Sequence, residues 1–207
     1  IYFDGADHVY PSLVMSAVID ILGIKKDGGF DYDFKNNILN LIDTTDSVVR
    51  TIPIDDNGRM YVNYFGKFQT FYYLPYSYCM DPEMLPPDYW EGKVAFVGAS
   101  LPGLMDLRNT PVQETFAGVE IHANVMHSIL QNDFVLVKDN VSTFYSILLL
   151  CMVIGILISF PKKPFYALPL PILGIVGWVI YANLQFLNDL TMIEVVRPIM
   201  SIIGTFG

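Results

Sequence analysis

Val141 to Phe160 reads VSTFYSILLLCMVIGILISF. It is 20 residues long without a charge, and a helix of that length reaches across a bilayer core of about 30 Å. Pro161-Lys162-Lys163-Pro164 then breaks the helix and supplies two positive charges. Phe165 to Leu187 is a second uncharged stretch, with Pro169 and Pro171 near its start, where a missing backbone donor costs least. After Asn188-Asp189 a third apolar stretch begins at Thr191 and continues to Gly207. Its first turns carry Pro198 and, three residues apart on one helix face, Glu194 and Arg197. The reading is therefore spans at 141–160 and 165–187 and the start of a third at 191–207. Buried core helices are the alternative, but three such runs joined by tight loops are rare in soluble domains.

Orientation follows from the lysines. The loop with Lys162 and Lys163 is the positive one, whereas the next loop carries only Asp189, so the lysine loop is expected on the cytoplasmic side. Residues 1–140 then lie outside an inner, multiply crossed membrane. Their composition is different: nine Lys and Arg against nineteen Asp and Glu, a net of −10, whereas residues 141–207 sum to +1. The whole 207-residue chain carries −9 and is 53% apolar. That apolar content excludes disorder, and two cysteines exclude a disulfide scaffold. No basic stripe exists for nucleic acid. The first residue is Ile, no basic segment precedes an apolar run as in a signal peptide, and the chain stops within an apolar run, so it reads as an interior fragment.

The outer piece, 1–138, reads as an α/β domain. Tyr10-Pro11-Ser12 opens a helix with Leu13, Val14, Ala17, Val18, Ile21 and Leu22 at helical spacing, closed by Gly23. Residues 24–35 read as a loop and Asn37–Ile42 as a short strand. Val48–Ile54 and Arg59–Phe65, joined by Asp56-Asn57-Gly58, read as a hairpin. Aromatic residues crowd the segment from Tyr61 to Trp90, which suits packing better than a stacking platform for a sugar or peptide. Lys93-Val94-Ala95-Phe96-Val97 has four apolar residues in a row, the pattern of a central parallel strand buried on both faces.

A helix is expected from Gly118 to Gln131. At about 100° per residue, Ile121, Val125, Ile129, His122, Met126 and Leu130 share one arc, with His122 in its middle. Glu120, Asn124, His127 and Gln131 fall on the opposite, polar arc. A histidine in a packing face needs a partner, and the preceding loop offers Ser100, Asp106, Arg108, Asn109 and Thr110.

Gly92-Lys93-Val94-Ala95-Phe96-Val97-Gly98-Ala99, then Asp106-Leu107-Arg108-Asn109-Thr110-Pro111, then Gly118-Val119-Glu120-Ile121-His122-Ala123-Asn124 resemble the signature of CHASE2 domains. Tyr10-Pro11-Ser12-Leu13 and Gly58-Arg59-Met60-Tyr61-Val62-Asn63-Tyr64 are similar to that family too, so the resemblance runs from about Tyr10 to Phe134. It implies an extracytoplasmic sensory domain of a bacterial receptor, followed by membrane helices. A cytoplasmic output unit comes next in such receptors, most often a nucleotidyl cyclase and otherwise a protein kinase. The N-terminal part of such a domain and the output unit are expected outside this chain, so no catalytic residue is carried over.

Ser100, Asp106, Arg108, Thr110 and His122 are the candidate set, either as a ligand site or as a buried polar network pinning loop to helix. A hydrolase triad of Ser100, Asp106 and His122 is disfavoured because Gly98-Ala99-Ser100-Leu101-Pro102 is not a nucleophile elbow. The Gly98–Gly103 loop lacks the Gly-Lys-Ser/Thr ending of a phosphate cradle. No metal site is expected, since His122 and His127 lie on opposite faces, and Cys79 and Cys151 fall in different compartments. The function expected is reception of an outer signal, with no cofactor and without nucleic acid. Expected partners are membrane lipid, an unknown outer small molecule or protein, and a second copy or a larger membrane complex. Other readings are an accessory subunit of such a complex or an anchored outer hydrolase.

Overall fold

The computed structural model describes residues 2–4, 8–81, 83–100, 106–138, 140–160 and 169–206. Lys162, Lys163 and half of the Gly98–Gly103 loop lie outside the described residues. The chain divides into two compact units, Ile1–Phe134 and Val135–Gly207.

In the first unit, β1 (Tyr2–Asp4) pairs antiparallel with β2 (His8–Tyr10). Helix α1 (Leu13–Leu22) starts where Ser12 takes an extended backbone and its hydroxyl accepts from the Met15 N–H at 3.3 Å. It stops at Gly23, whose φ of +64° is the left-handed conformation that a side chain disfavours. Next come β3 (Phe30–Asp33), β4 (Ile38–Ile42) and β5 (Val48–Pro53), an antiparallel meander in that order. Asp43 accepts from the N–H groups of Thr45 and Ser47 and so holds the β4–β5 turn. Asp33 does the same for Lys35 and Asn36 after β3.

Alternation along β4 turns Leu39 and Leu41 inward, where they meet Val14, Met15 and Val18 of α1 and Ile52 of β5. Met126 and Ile129, from helix α3 (Gly118–Gln131), complete that core. Each fully buried aliphatic side chain of this kind contributes about 2 kcal/mol. The unit is thus two helices with a three-stranded antiparallel sheet. A five-residue helix α2 (Tyr76–Met80) and the strand pair β6 (Leu107–Arg108) with β7 (Phe116–Ala117) complete it.

Three expectations change. β3 occupies part of what reads as the 24–35 loop. The Asp55–Gly58 turn exists, with the Gly58 N–H donating to the Asp55 carbonyl, but residues 59–65 form no strand. β5 pairs with β4 instead. The central parallel strand at 93–97 is also corrected: these residues belong to no strand among the described residues, with Val94 47% and Val97 83% exposed. Only Phe96 of this run packs onto the core. A run of apolar residues signals burial only when neighbouring strands exist to cover it, and the sheet described here is antiparallel and elsewhere.

The second unit contains β8 (Leu136–Val137), α4 (Asn140–Ser159), α5 (Pro169–Asp189), β9 (Thr191–Met192) and α6 (Val196–Phe206). Val141–Ser159 and Pro169–Asp189 are long and apolar enough to cross a membrane, and only 11% and 17% of those windows are buried. The third stretch differs from its sequence reading. Thr191 and Met192 are strand, and the helix, α6, begins only at Val196. Gly174 lets α4 and α6 approach α5, because a Cβ there would run into the tip of Ile154 and touch Ile202. The Trp178 indole N–H donates to the Glu194 carbonyl at 3.1 Å, and Glu194 pairs with Arg197 at 3.0 Å.

Candidate functional site

The polar arc of α3 faces protein. Glu120 sits in the first turn, where the positive end of the helix dipole favours an acid. It is 2% exposed. Its Oε1 accepts from the Thr70 N–H at 2.9 Å and the Phe71 N–H at 3.4 Å. Its Oε2 accepts from the Gln69 N–H at 3.0 Å and the Tyr73 hydroxyl at 2.9 Å. Four donors thus converge on one carboxyl group. Gln69 adopts a φ of +68°, and three successive N–H groups of that turn point to one acceptor, as in an anion-binding nest.

One helical turn on, Asn124 repeats the device. Its Oδ1 accepts from the Phe65 N–H at 3.0 Å and its Nδ2 donates to the Glu120 carbonyl at 2.8 Å. Ser128, a further turn along, donates to the Asn124 carbonyl. Gln113 Oε1 accepts from the Phe68 N–H at 3.2 Å. In the 65–73 segment, which has no strand or helix, the N–H groups of Phe65, Phe68, Gln69, Thr70 and Phe71 are therefore taken up by side chains. Its rings close the clamp. Phe65 and Phe71 stand edge-on to His127 at 4.4 and 5.7 Å, and Phe68 meets Tyr73 at 5.4 Å. Burial, then the hydrogen bond to Glu120 and that group's charge, push the Tyr73 phenol well above its ordinary range, so it stays a donor.

Among the described residues, the five residues singled out from sequence form no single hydrogen-bonded set. Asp106 gives its carbonyl to the Gly118 N–H at 2.8 Å, while its side chain pairs loosely with Arg108 at 3.7 Å. That pair is largely in water and worth little. Thr110 is buried, and it exchanges hydrogen bonds with the main chain of Gln113, at 2.9 Å from its Oγ1 and 3.2 Å to it. It thereby fixes the turn that aims Gln113 at Phe68. Ser100 is half-buried, with no hydrogen bond among the described residues. His122 is exposed, which corrects its placement in the middle of a packing face. The buried side of α3 runs through Glu120, Asn124, Met126, Ser128 and Ile129 instead. No contact among the described residues joins His122 to Ser100, Asp106 or Arg108, so neither the triad nor the network expected around it forms there.

One outcome follows at once. His122→Ala is expected to change stability by less than about 0.5 kcal/mol, as for an exposed side chain without partners among the described residues. Thermal melts of the two proteins side by side check it, and a large drop would return His122 to the interior.

Sequence reasoning missed Glu120, Asn124, Gln113 and Tyr73. A signal was present: Glu120, Asn124 and Ser128 recur every four residues, a polar stripe of the width that a backbone segment covers. Such a stripe reads as solvated by default. The clamp can orient a loop against a helix. Its donors and acceptors are already paired with one another, and among the described residues no group of His, Cys, Asp and Glu could hold a metal ion.

The family model described as CHASE2 domain matches residues 2–159, a span that includes the clamp and runs to the end of α4. No curated protein and no solved structure matches.

Proposed function

The chain belongs to the CHASE2 family of extracytoplasmic sensory domains, and from that premise we propose that it is the receiving and membrane-crossing part of a signal-transduction receptor. Residues 2–134 take up the outer signal. Helices α4 and α5 cross the inner membrane and carry the message to a cytoplasmic output unit, a nucleotidyl cyclase by family habit. Lys162 and Lys163 face the cytoplasm in this reading.

The observation that supports it best is the poor cover of α4 and α5. With 11% and 17% of their apolar stretches buried, these helices of some twenty residues each leave most of their length uncovered. A soluble domain buries such helices, whereas lipid solvates them at no cost. The α3 clamp fits the receiving role, since it holds an aromatic segment by hydrogen bonds to three side chains instead of by a strand ladder.

Cys79 offers the test, because it is free and exposed in the first unit. A membrane-impermeant maleimide is expected to label Cys79 on intact cells. Lys162→Cys in a Cys79→Ser background is expected to stay unlabelled until the membrane is opened. Labelling at position 162 from outside would reverse the topology and end the reading. The relay is tested on the full-length receptor: Glu120→Gln is expected to change output without loss of protein from the membrane.

A further inference from the structure

β8 and β9 are short, yet their pairing has a topological consequence. β8 follows the C-cap of α3 closely and leads into α4. β9 follows α5 and leads into α6. The two pair in parallel, Leu136 with Thr191 and Val137 with Met192. The Leu136 N–H donates to the Leu190 carbonyl at 3.1 Å and the Lys138 N–H to the Met192 carbonyl at 3.0 Å. Parallel strands need a long crossover, and here the α4–α5 pair supplies it.

The receiving end of this clasp is braced. Ile193 is buried with Trp178 and Ala182, and Val195 packs against them. Trp178 fixes the Glu194 carbonyl, and the Glu194–Arg197 pair spans the entry to α6. The Ile199 N–H reaches back to the Val195 carbonyl at 3.3 Å. Lys138, the last partner on the β8 side, also sits 5.7 Å over the Tyr181 ring of α5. The strand that leaves the first unit is therefore tied to the start of α6 as well as continuing into α4.

We propose that the β8–β9 pairing is a coupling clasp: displacement of residues 136–138 is delivered to the α5–α6 connection and moves α6 directly, not only through α4. Two helices then receive one displacement at one point, and a shift there needs no bending of α4. The direction of the message rests on the receptor reading above. The clasp itself does not.

The test uses the membrane-embedded chain and hydrogen exchange. Leu136→Pro removes one clasp donor, and Leu136→Ala keeps it. In Leu136→Pro, exchange at residues 196–200 is expected to rise by about tenfold, with residues 144–156 unchanged, whereas Leu136→Ala is expected to match the parent. In a Cys79→Ser, Cys151→Ser background, Leu136→Cys with Thr191→Cys is expected to crosslink on mild oxidation. Unchanged exchange at 196–200 in Leu136→Pro, or failure of the pair to crosslink, overturns the clasp. Failure of the receptor reading shows elsewhere, in outside labelling at position 162 or in full-length output that ignores Glu120→Gln, and leaves these two readouts intact.

Discussion

Replacing Glu120 by alanine is expected to lower the melting temperature of the first unit by about 10 °C or more. The reason lies in what the substitution leaves behind. The Gln69 and Phe71 N–H groups and the Tyr73 hydroxyl lose their acceptor at a position that is 2% exposed, and the Thr70 N–H keeps only the Lys67 carbonyl at 3.1 Å. An unsatisfied buried donor costs about 1–3 kcal/mol, and three are left so here. That is a large part of the about 5–15 kcal/mol that keeps a domain folded. Glu120→Gln keeps one acceptor oxygen but turns an NH₂ group toward donors, so its loss is expected to be roughly half as large. Exchange at the Gln69, Thr70 and Phe71 amides checks the cause: these should open before the β4–β5 ladder does. An alanine variant melting within about 2 °C of the parent would show that water or a neighbouring group replaces the carboxyl group without penalty.

How much of this was legible beforehand differs by element. Helices α1, α3 and α4 agree with their sequence boundaries to within a residue or two, because capping residues and apolar period are local signals. Leu39, Leu41 and Val18 belong to the core for the same reason. The sheet was only half readable. Asp55 and Gly58 do make their turn, yet the chain beyond it gives its N–H groups to Asn124, Gln113 and Glu120, residues some fifty positions later. Nothing in residues 59–71 announces that. Val94–Val97 shows the converse, a composition suited to an interior that the described residues do not provide. The clamp stayed hidden because its acceptors look like a solvated stripe and its donors are main chain, which has no sequence signature. His122 looked important only because a histidine among apolar neighbours attracts notice. The side chains that matter lie on the other side of the same helix.

Arg50→Ala is expected to cost the first unit about 2–4 kcal/mol, and the loss should come from the opposite end of α3. From β5, Arg50 Nε donates to the Ile129 carbonyl and a terminal nitrogen to the Leu130 carbonyl, each at 2.8 Å. The other terminal nitrogen holds its own neighbour, the Val49 carbonyl, at 2.7 Å. The last carbonyls of a helix have no partner within it, and a cation there also meets the negative end of the dipole. One planar fork thus fastens α3 to the sheet. A lysine has the charge without the fork, so Arg50→Lys is expected to recover less than half of the loss. Denaturant midpoints measure both variants, and a lysine variant equal to the parent would reduce Arg50 to its charge alone. Position on the helix adds a second check. Glu120 and Arg50 act at the two ends of a 14-residue helix, about 15–20 Å apart along its axis, and share no partner. The losses of Glu120→Gln and Arg50→Lys should therefore add to within about 0.5 kcal/mol in the double variant. A clear excess or shortfall would mean that α3 moves as one rigid lever between clamp and sheet, and that a disturbance at one end is already felt at the other.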